Sequence, residues 1–341
     1  MSPLEGKFMN NFKDRVTIYE VAKTAKVSLA TVSRVINNKG NVTEDTKRRV
    51  EEAIQKLGYK PSSLAQSLAT SKTTNIAIIL PAANYVYISY MLSGMIDVGR
   101  IYGYRCTVFT SDATDDSESL VNNIITSRCD GAIVFGNQFK DDDIKKLNSY
   151  NVPTVIVGNN IEDDKIASVE IDYNTEVKKI VRNYLSRGIT DIAVLKYKKD
   201  NMYFLNNVTA AIEEIFNEFG MSFDNYIEIE DSYHGTYEMM DNLFKNSKPH
   251  QVYIAPRDSL AAAVINAAND NGIKCPNDFE VLAIIGTKYS ILTRPTISSM
   301  DVDMYEVGSV AARMLTKLLA EKLNNKLFKI TGEYIVRKST K

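Results

Sequence analysis

The sequence has no tryptophan, two histidines and three cysteines among 341 residues. Each scarcity removes a class of chemistry. Cys106, Cys129 and Cys275 are scattered and odd in number, so they offer neither a disulfide framework nor the close pairs of a structural zinc site. They read as reduced, buried thiols of a cytoplasmic protein. His234 and His250 lack metal-type spacing, which disfavours a metal hydrolase or a Cys-His or Ser-His nucleophile enzyme. No GxGxxG, GxxxxGK[ST] or GxSxG pattern occurs, so nucleotide and acyl-transfer chemistry have no anchor. Long apolar runs are missing too. Ile76–Leu80 and Val281–Ile285 are strand-sized, far short of the about 18 residues of a membrane span. Residues 1–15 carry no apolar core after their charges, unlike a secretory signal. No metal, cofactor, membrane or catalytic residue is expected.

What remains is ordinary globular composition, 44% hydrophobic and 24% charged, with enough chain for two or three domains. The charge is unevenly placed. Residues 1–75 hold 13 Lys/Arg against 7 Asp/Glu, whereas the other 266 residues hold 28 against 35. A basic head on an acidic body points to a polyanionic partner for the head alone.

The head reads as three short helices. Thr17 with Glu20 forms a capping box ahead of Ile18, Val21, Ala22 and Ala25. Lys26-Val27-Ser28 breaks that pattern, and Ser28 caps a second helix from Leu29 to Ile36. Thr43 caps a third, with Val50, Ala53, Ile54 and Leu57 inward and Gly58 at its end. A tight turn between the first two makes a helix-turn-helix unit. From Asn75 onward short β-branched runs alternate with amphipathic helices. Strands are expected at Ile76–Leu80, Thr107–Thr110, Ala132–Phe135, Thr154–Val157, Ile192–Leu195, Val252–Ile254 and Val281–Ile285. Helices between them, such as Ser117–Ser127, Thr175–Arg187, Leu205–Phe219, Asp258–Asn271 and Met304–Leu323, predict parallel sheets covered on both faces. Seven or more strands in this length fit two sheets around a cleft.

The segment VTIYEVAKTAKVSLATVSRVIN, residues 16–37, resembles the DNA-binding head of the Lac/Gal repressor family of bacterial transcription regulators. The resemblance implies an α/β chain: a helix-turn-helix head at 16–60, a hinge helix and linker at 61–74, and a two-lobed periplasmic-binding-protein-like body at 75–341. It also implies a homodimer on a pseudo-palindromic double-stranded operator. The physics of the segment agrees. A helix opening with Ser28, Leu29, Ala30 and Thr31 puts small side chains at the major groove, where Arg34 can pair with a guanine edge. Thr31, Ser33 and Asn37 suit phosphates. Thr17 belongs to the same contact set, and Tyr19 matches the family's backbone-contacting tyrosine. Members often carry Gly where Lys26 stands, a substitution that adds positive charge and is tolerable if φ stays negative there. In the hinge, Leu64 and Leu68 share one helical face, and the resemblance makes Leu68 a minor-groove wedge that kinks the duplex. Gln66 replaces the family's usual Arg.

The body departs from sugar-binding members of the family. Gly286-Thr287-Lys288-Tyr289 lacks the Asp that follows their Gly-aromatic pair, the cleft arginine falls near Asn201, and Ala82 stands where Asp is frequent. Asp258 does match a cleft carboxylate. Losing several charged partners argues against tight sugar binding. The helix Met304–Lys317 resembles instead the family's catabolite-control members, in which Tyr, Arg and Lys at these positions meet serine-phosphorylated HPr. The corresponding residues are Tyr305, Arg313 and Lys317, and the last two lie four apart on one face. The alternatives are a regulator answering to a small-molecule effector, such as a sugar, in the cleft, a paralogue with neither input, and an enzyme on the α/β body.

Overall fold

The computed structural model describes residues 16–37, 40, 42–60, 73–81, 85–111, 117–135, 141–158, 166–198 and 203–341. The hinge segment with Leu64, Gln66 and Leu68, and the positions Ala82 and Asn201, lie outside the described residues. The chain divides into two compact units, residues 1–73 and 74–341.

In the first unit the capping signals set the helices. α1 spans Ile18–Ala25, α2 Leu29–Ile36 and α3 Glu44–Leu57. Their inward faces bury Val21, Ala22, Ala25, Val32, Val35, Val50 and Ala53 into one small core closed by Tyr59. The turn does not meet the condition of a negative φ. Lys26 has φ +55°, in the left-handed region, where its N–H closes α1 on the carbonyls of Ala22 and Lys23. An αL residue is the ordinary way to end a helix, and Gly usually takes that position because it has no Cβ. Lysine accepts the strain here, because the two helices must turn within three residues, Lys26 to Ser28.

The second unit holds two six-stranded sheets. The first uses β1 (Asn75–Pro81), β2 (Arg105–Ser111), β3 (Gly131–Phe135), β4 (Thr154–Val157), β5 (Ile166–Asp172) and β11 (Leu327–Thr331). Their order is β11-β5-β4-β3-β1-β2, all parallel. The second uses β6 (Ile192–Tyr197), β7 (Tyr226–Ile229), β8 (Val252–Arg257), β9 (Glu280–Ile285), β10 (Ser298–Asp301) and β12 (Glu333–Ile335). Here the order is β12-β10-β9-β8-β6-β7, with only β12 antiparallel. Central strands of such sheets are covered on both sides, so they are continuous apolar runs. Ile76, Ala77, Ile78, Ile79 and Leu80 are all buried.

Four helices cover the first sheet: α4 (Val86–Ile101), α5 (Ser117–Thr126), α6 (Asp141–Ser149) and α12 (Met304–Leu319). The second is covered by α7 (Asn174–Ser186), α8 (Tyr203–Glu218), α9 (Tyr233–Asn246), α10 (Asp258–Asp270) and α11 (Lys288–Leu292). The chain crosses between lobes after β5, after β10 and at Gly332. α4 and α12 cross with backbones in contact. A Cβ on Gly308 would fall 1.9 Å from the Met91 carbonyl oxygen, and one on Gly94 2.1 Å from that of Tyr305. The three thiols are unpaired, as expected, but half-buried rather than buried. Partial burial still pushes each above the usual thiol range.

Candidate nucleic-acid interface and regulatory surfaces

The outer face of α2 begins at its cap. Ser28 Oγ accepts from the Thr31 N–H at 3.2 Å and shares a hydrogen bond with the Thr31 hydroxyl at 2.9 Å. Leu29 and Ala30 are exposed in the first turn, where a recognition helix meets base edges. One turn on, Arg34 is exposed and makes no ion pair among the described residues, so its guanidinium is available to a guanine edge. Val32 and Val35, on the opposite side, anchor the helix in the core. Ser33 and Asn37 are brought together. The Asn37 amide donates to the Ser33 carbonyl at 2.8 Å and to its hydroxyl at 3.3 Å, closing the end of α2. A phosphate at either residue competes with that cap.

On α1 the Glu20 carboxylate accepts from the Thr17 N–H at 2.7 Å and from its hydroxyl at 3.0 Å. The backbone bond, then the hydroxyl, hold Glu20 below the usual carboxylate range. Tyr19 beside it is 68% exposed, a placement that burial alone does not explain and that suits a backbone contact.

Helix α12 is capped by Asp303, whose carboxylate accepts from the Glu306 N–H at 3.0 Å. Tyr305 is exposed and donates to Asp97 of α4 at 3.2 Å. That bond raises its phenol above the usual range. Arg313 reaches back two turns to Glu306 at 2.7 Å, and Lys317 is exposed with no ion-pair partner among the described residues. The expected basic pair is therefore on the surface, with one member engaged and the other open.

Described residues of both lobes enclose a small cavity. Tyr87, Phe135, Ile171, Tyr173, Ile285 and Met304 leave a cavity of ≈ 20 Å³, about the room one water needs. Beside it the lobes are tied. Tyr85, at the start of α4, donates to Asp231 Oδ2 at 2.5 Å. Asp231 also pairs with Arg257, which bonds the Tyr197 hydroxyl at 3.1 Å and lies 4.9 Å from the Tyr85 ring centre. Burial, then Asp231, pushes the Tyr85 phenol up to about 12. Asp258 faces inward. Its carboxylate accepts from the backbone and hydroxyls of Thr287 and Ser290 at 2.6–3.1 Å, strapping α10 to α11. Arg257, its neighbour at the carboxyl end of β8, joins Asp231 in meeting Tyr85 of the first lobe, and sequence reading passed over both. The signal for Arg257 was an Arg-Asp step at a strand-to-helix junction, where α/β sheets place their ligands.

Known proteins resolve the family. Residues 17–62 match the bacterial regulatory proteins of the lacI family, and residues 181–340 match a periplasmic binding protein-like domain. Catabolite control protein A of Priestia megaterium is 31% identical over 331 residues, covering 96% of this chain and 99% of its own length. The chain belongs to the lacI family. Catabolite control protein A of Staphylococcus xylosus is 30% identical over 90% of this chain and 93% of its own. Among solved structures, the Lac repressor dimer bound to operator and the anti-inducer ONPF has a TM-score of 0.82 at 20% identity. That comparison covers 95% of this chain and 99% of the other. CcpA of Lactococcus lactis has a TM-score of 0.66 at 24% identity, covering 78% and 99%. The two-lobed α/β fold is thus the family fold, and the chain is a DNA-binding transcription regulator, not an enzyme. Among the described residues no helix is long and apolar enough to cross a membrane.

Proposed function

We propose that the chain binds a pseudo-palindromic operator as a cytoplasmic homodimer, and that serine-phosphorylated HPr is its corepressor, docked on α12. The observation that carries this reading is the surface formed by Tyr305, the half-exposed Arg313 and Lys317, with Lys317 in no ion pair among the described residues. A phosphoserine brings nearly two charges and three acceptor oxygens. Arg313 offers a planar fork and Lys317 a point charge, a pair that can grip one phosphate. Similarity to catabolite control protein A over almost the whole chain supports the same reading. In the head, Arg34 reads a base, Leu29 and Ala30 fit the groove, and Thr17, Tyr19, Ser28, Thr31, Ser33 and Asn37 set the position on the backbone. Leu68 is proposed as the hinge wedge.

A small-molecule effector between the lobes is the second reading. The Tyr85–Asp231–Arg257 tie favours it, because polar groups converge there from both lobes, with Asp258 behind Arg257. Operator affinity by fluorescence anisotropy at fixed salt separates the two. Under the first, serine-phosphorylated HPr tightens binding, unphosphorylated HPr does not, and Arg313→Ala abolishes the difference. A response to a sugar with none to the phosphoprotein establishes the second.

A further inference from the structure

Among the described residues, a second cavity lies within the second lobe, away from the cleft. A groove of ≈ 270 Å³ runs between one face of α7 and the segment 334–341, close to the size at which small-molecule sites begin, about 300 Å³. Glu176, Lys179, Ile180, Asn183, Tyr184 and Arg187 recur at helical spacing along one wall. Tyr334, Val336, Thr340 and Lys341 form the other. We propose that this groove is a ligand site for an organic phosphate carried on a flat ring.

Its floor is apolar and aromatic. Ile180 and Tyr184 are buried, and Tyr334 is half-buried. The Tyr184 hydroxyl is committed to Glu280 at 2.8 Å, so a ligand meets its ring rather than its O–H. The mouth is cationic. Lys179 is paired with Glu176 at 2.7 Å, which leaves Arg187 and Lys341 without an ion pair among the described residues. The Arg187 guanidinium stands 5.8 Å from the Tyr184 ring centre, and Lys341 Nζ reaches only the Asn277 carbonyl, at 3.2 Å. The buried Glu280 lies beneath, accepting from Tyr184 and from the Lys341 N–H at 3.1 Å. Arg187 and Lys341, neither in an ion pair among the described residues, present two cations to an entering phosphate, and the guanidinium plane matches its oxygens. The aromatic floor supplies the contact for the ring.

Isothermal titration of the full chain tests this with phenyl phosphate, adenosine 5′-monophosphate, inorganic phosphate and phenol. A ring phosphate is expected to bind with Kd below about 1 mM, at least tenfold tighter than phosphate or phenol alone. Arg187→Gln, at an exposed position, weakens that binding about tenfold or more. Arg313→Gln leaves it unchanged, which separates this groove from the α12 surface. The proposal is overturned if neither ring phosphate saturates, if inorganic phosphate binds as tightly, or if Arg187→Gln has no effect.

Discussion

Glu306 holds Arg313 across two turns of α12, its carboxylate 2.7 Å from the guanidinium. The acid occupies the group that a phosphate on this face would need. Both side chains are about half exposed, so the pair is worth only about 0.2–1 kcal/mol. Glu306→Gln therefore tightens serine-phosphorylated HPr by up to about fivefold, the same energy expressed as affinity. Surface plasmon resonance on the operator-bound protein reads this directly. Unchanged or weaker docking would mean that Glu306 orients Arg313 rather than competing for it.

Lys26 at φ +55° keeps strain in the turn of the head. Lys26→Gly should stabilise the first unit by about 1 kcal/mol. Hydrogen exchange at the α1 and α2 amides that open with that unit then slows about fivefold. Faster exchange would show that the lysine side chain, not the backbone, sets stability there.

Gly308 has no room for a methyl group, because the Met91 carbonyl lies 1.9 Å from where it would sit. Backbone cannot yield as a flexible side chain can. Gly308→Ala is expected to cost about 1–3 kcal/mol, seen as a lower urea midpoint. Exposed Lys317→Ala, on the same helix, should leave that midpoint within about 0.5 kcal/mol.

Arg34→Ala should cost about 1–3 kcal/mol of operator binding and relax discrimination at one base pair per half-site. Anisotropy on duplexes substituted position by position checks it. Equal weakening on every sequence would instead make Arg34 a phosphate contact.

The head was legible almost to the residue, because caps and glycine fix short helices locally. Thr17, Ser28, Thr43 and Gly58 all bound helices where expected. The central strands were legible as β-branched runs, with Thr154–Val157 matching at both ends. Other elements lacked such a signal. β10 is Ser-Ser-Met-Asp, yet Ser298 and Ser299 are fully buried, bonded to Thr340 and Arg337 at 2.7 Å. Nothing local marks such a strand, since its partners lie about forty residues away, with separations of 42 and 38. α4 was hidden for the opposite reason. Its residues Tyr87, Ile88, Met91, Gly94, Met95, Val98 and Gly99 are buried on a wide arc, which blurs helical periodicity. On α12, Tyr305, Arg313 and Lys317 were singled out by the resemblance of Met304–Lys317 to catabolite-control members, but the Glu306 bond to Arg313 needs the rotamers. Likewise Asp258 was visible as a carboxylate, while its four donors come from Thr287 and Ser290, far along the chain.

β11 and β12 belong to different sheets, yet only Gly332 separates them. A Cβ on that glycine would stand 2.7 Å from Val302, in the neighbouring crossing. One residue spans at most about 3.6 Å, so this link has no slack to let out. The lobes are pinned at this corner, one of the three places where the chain crosses between them. They can swivel about it, but they cannot part on that side. Any relative movement of the lobes is therefore expected as rotation about this corner rather than separation across it.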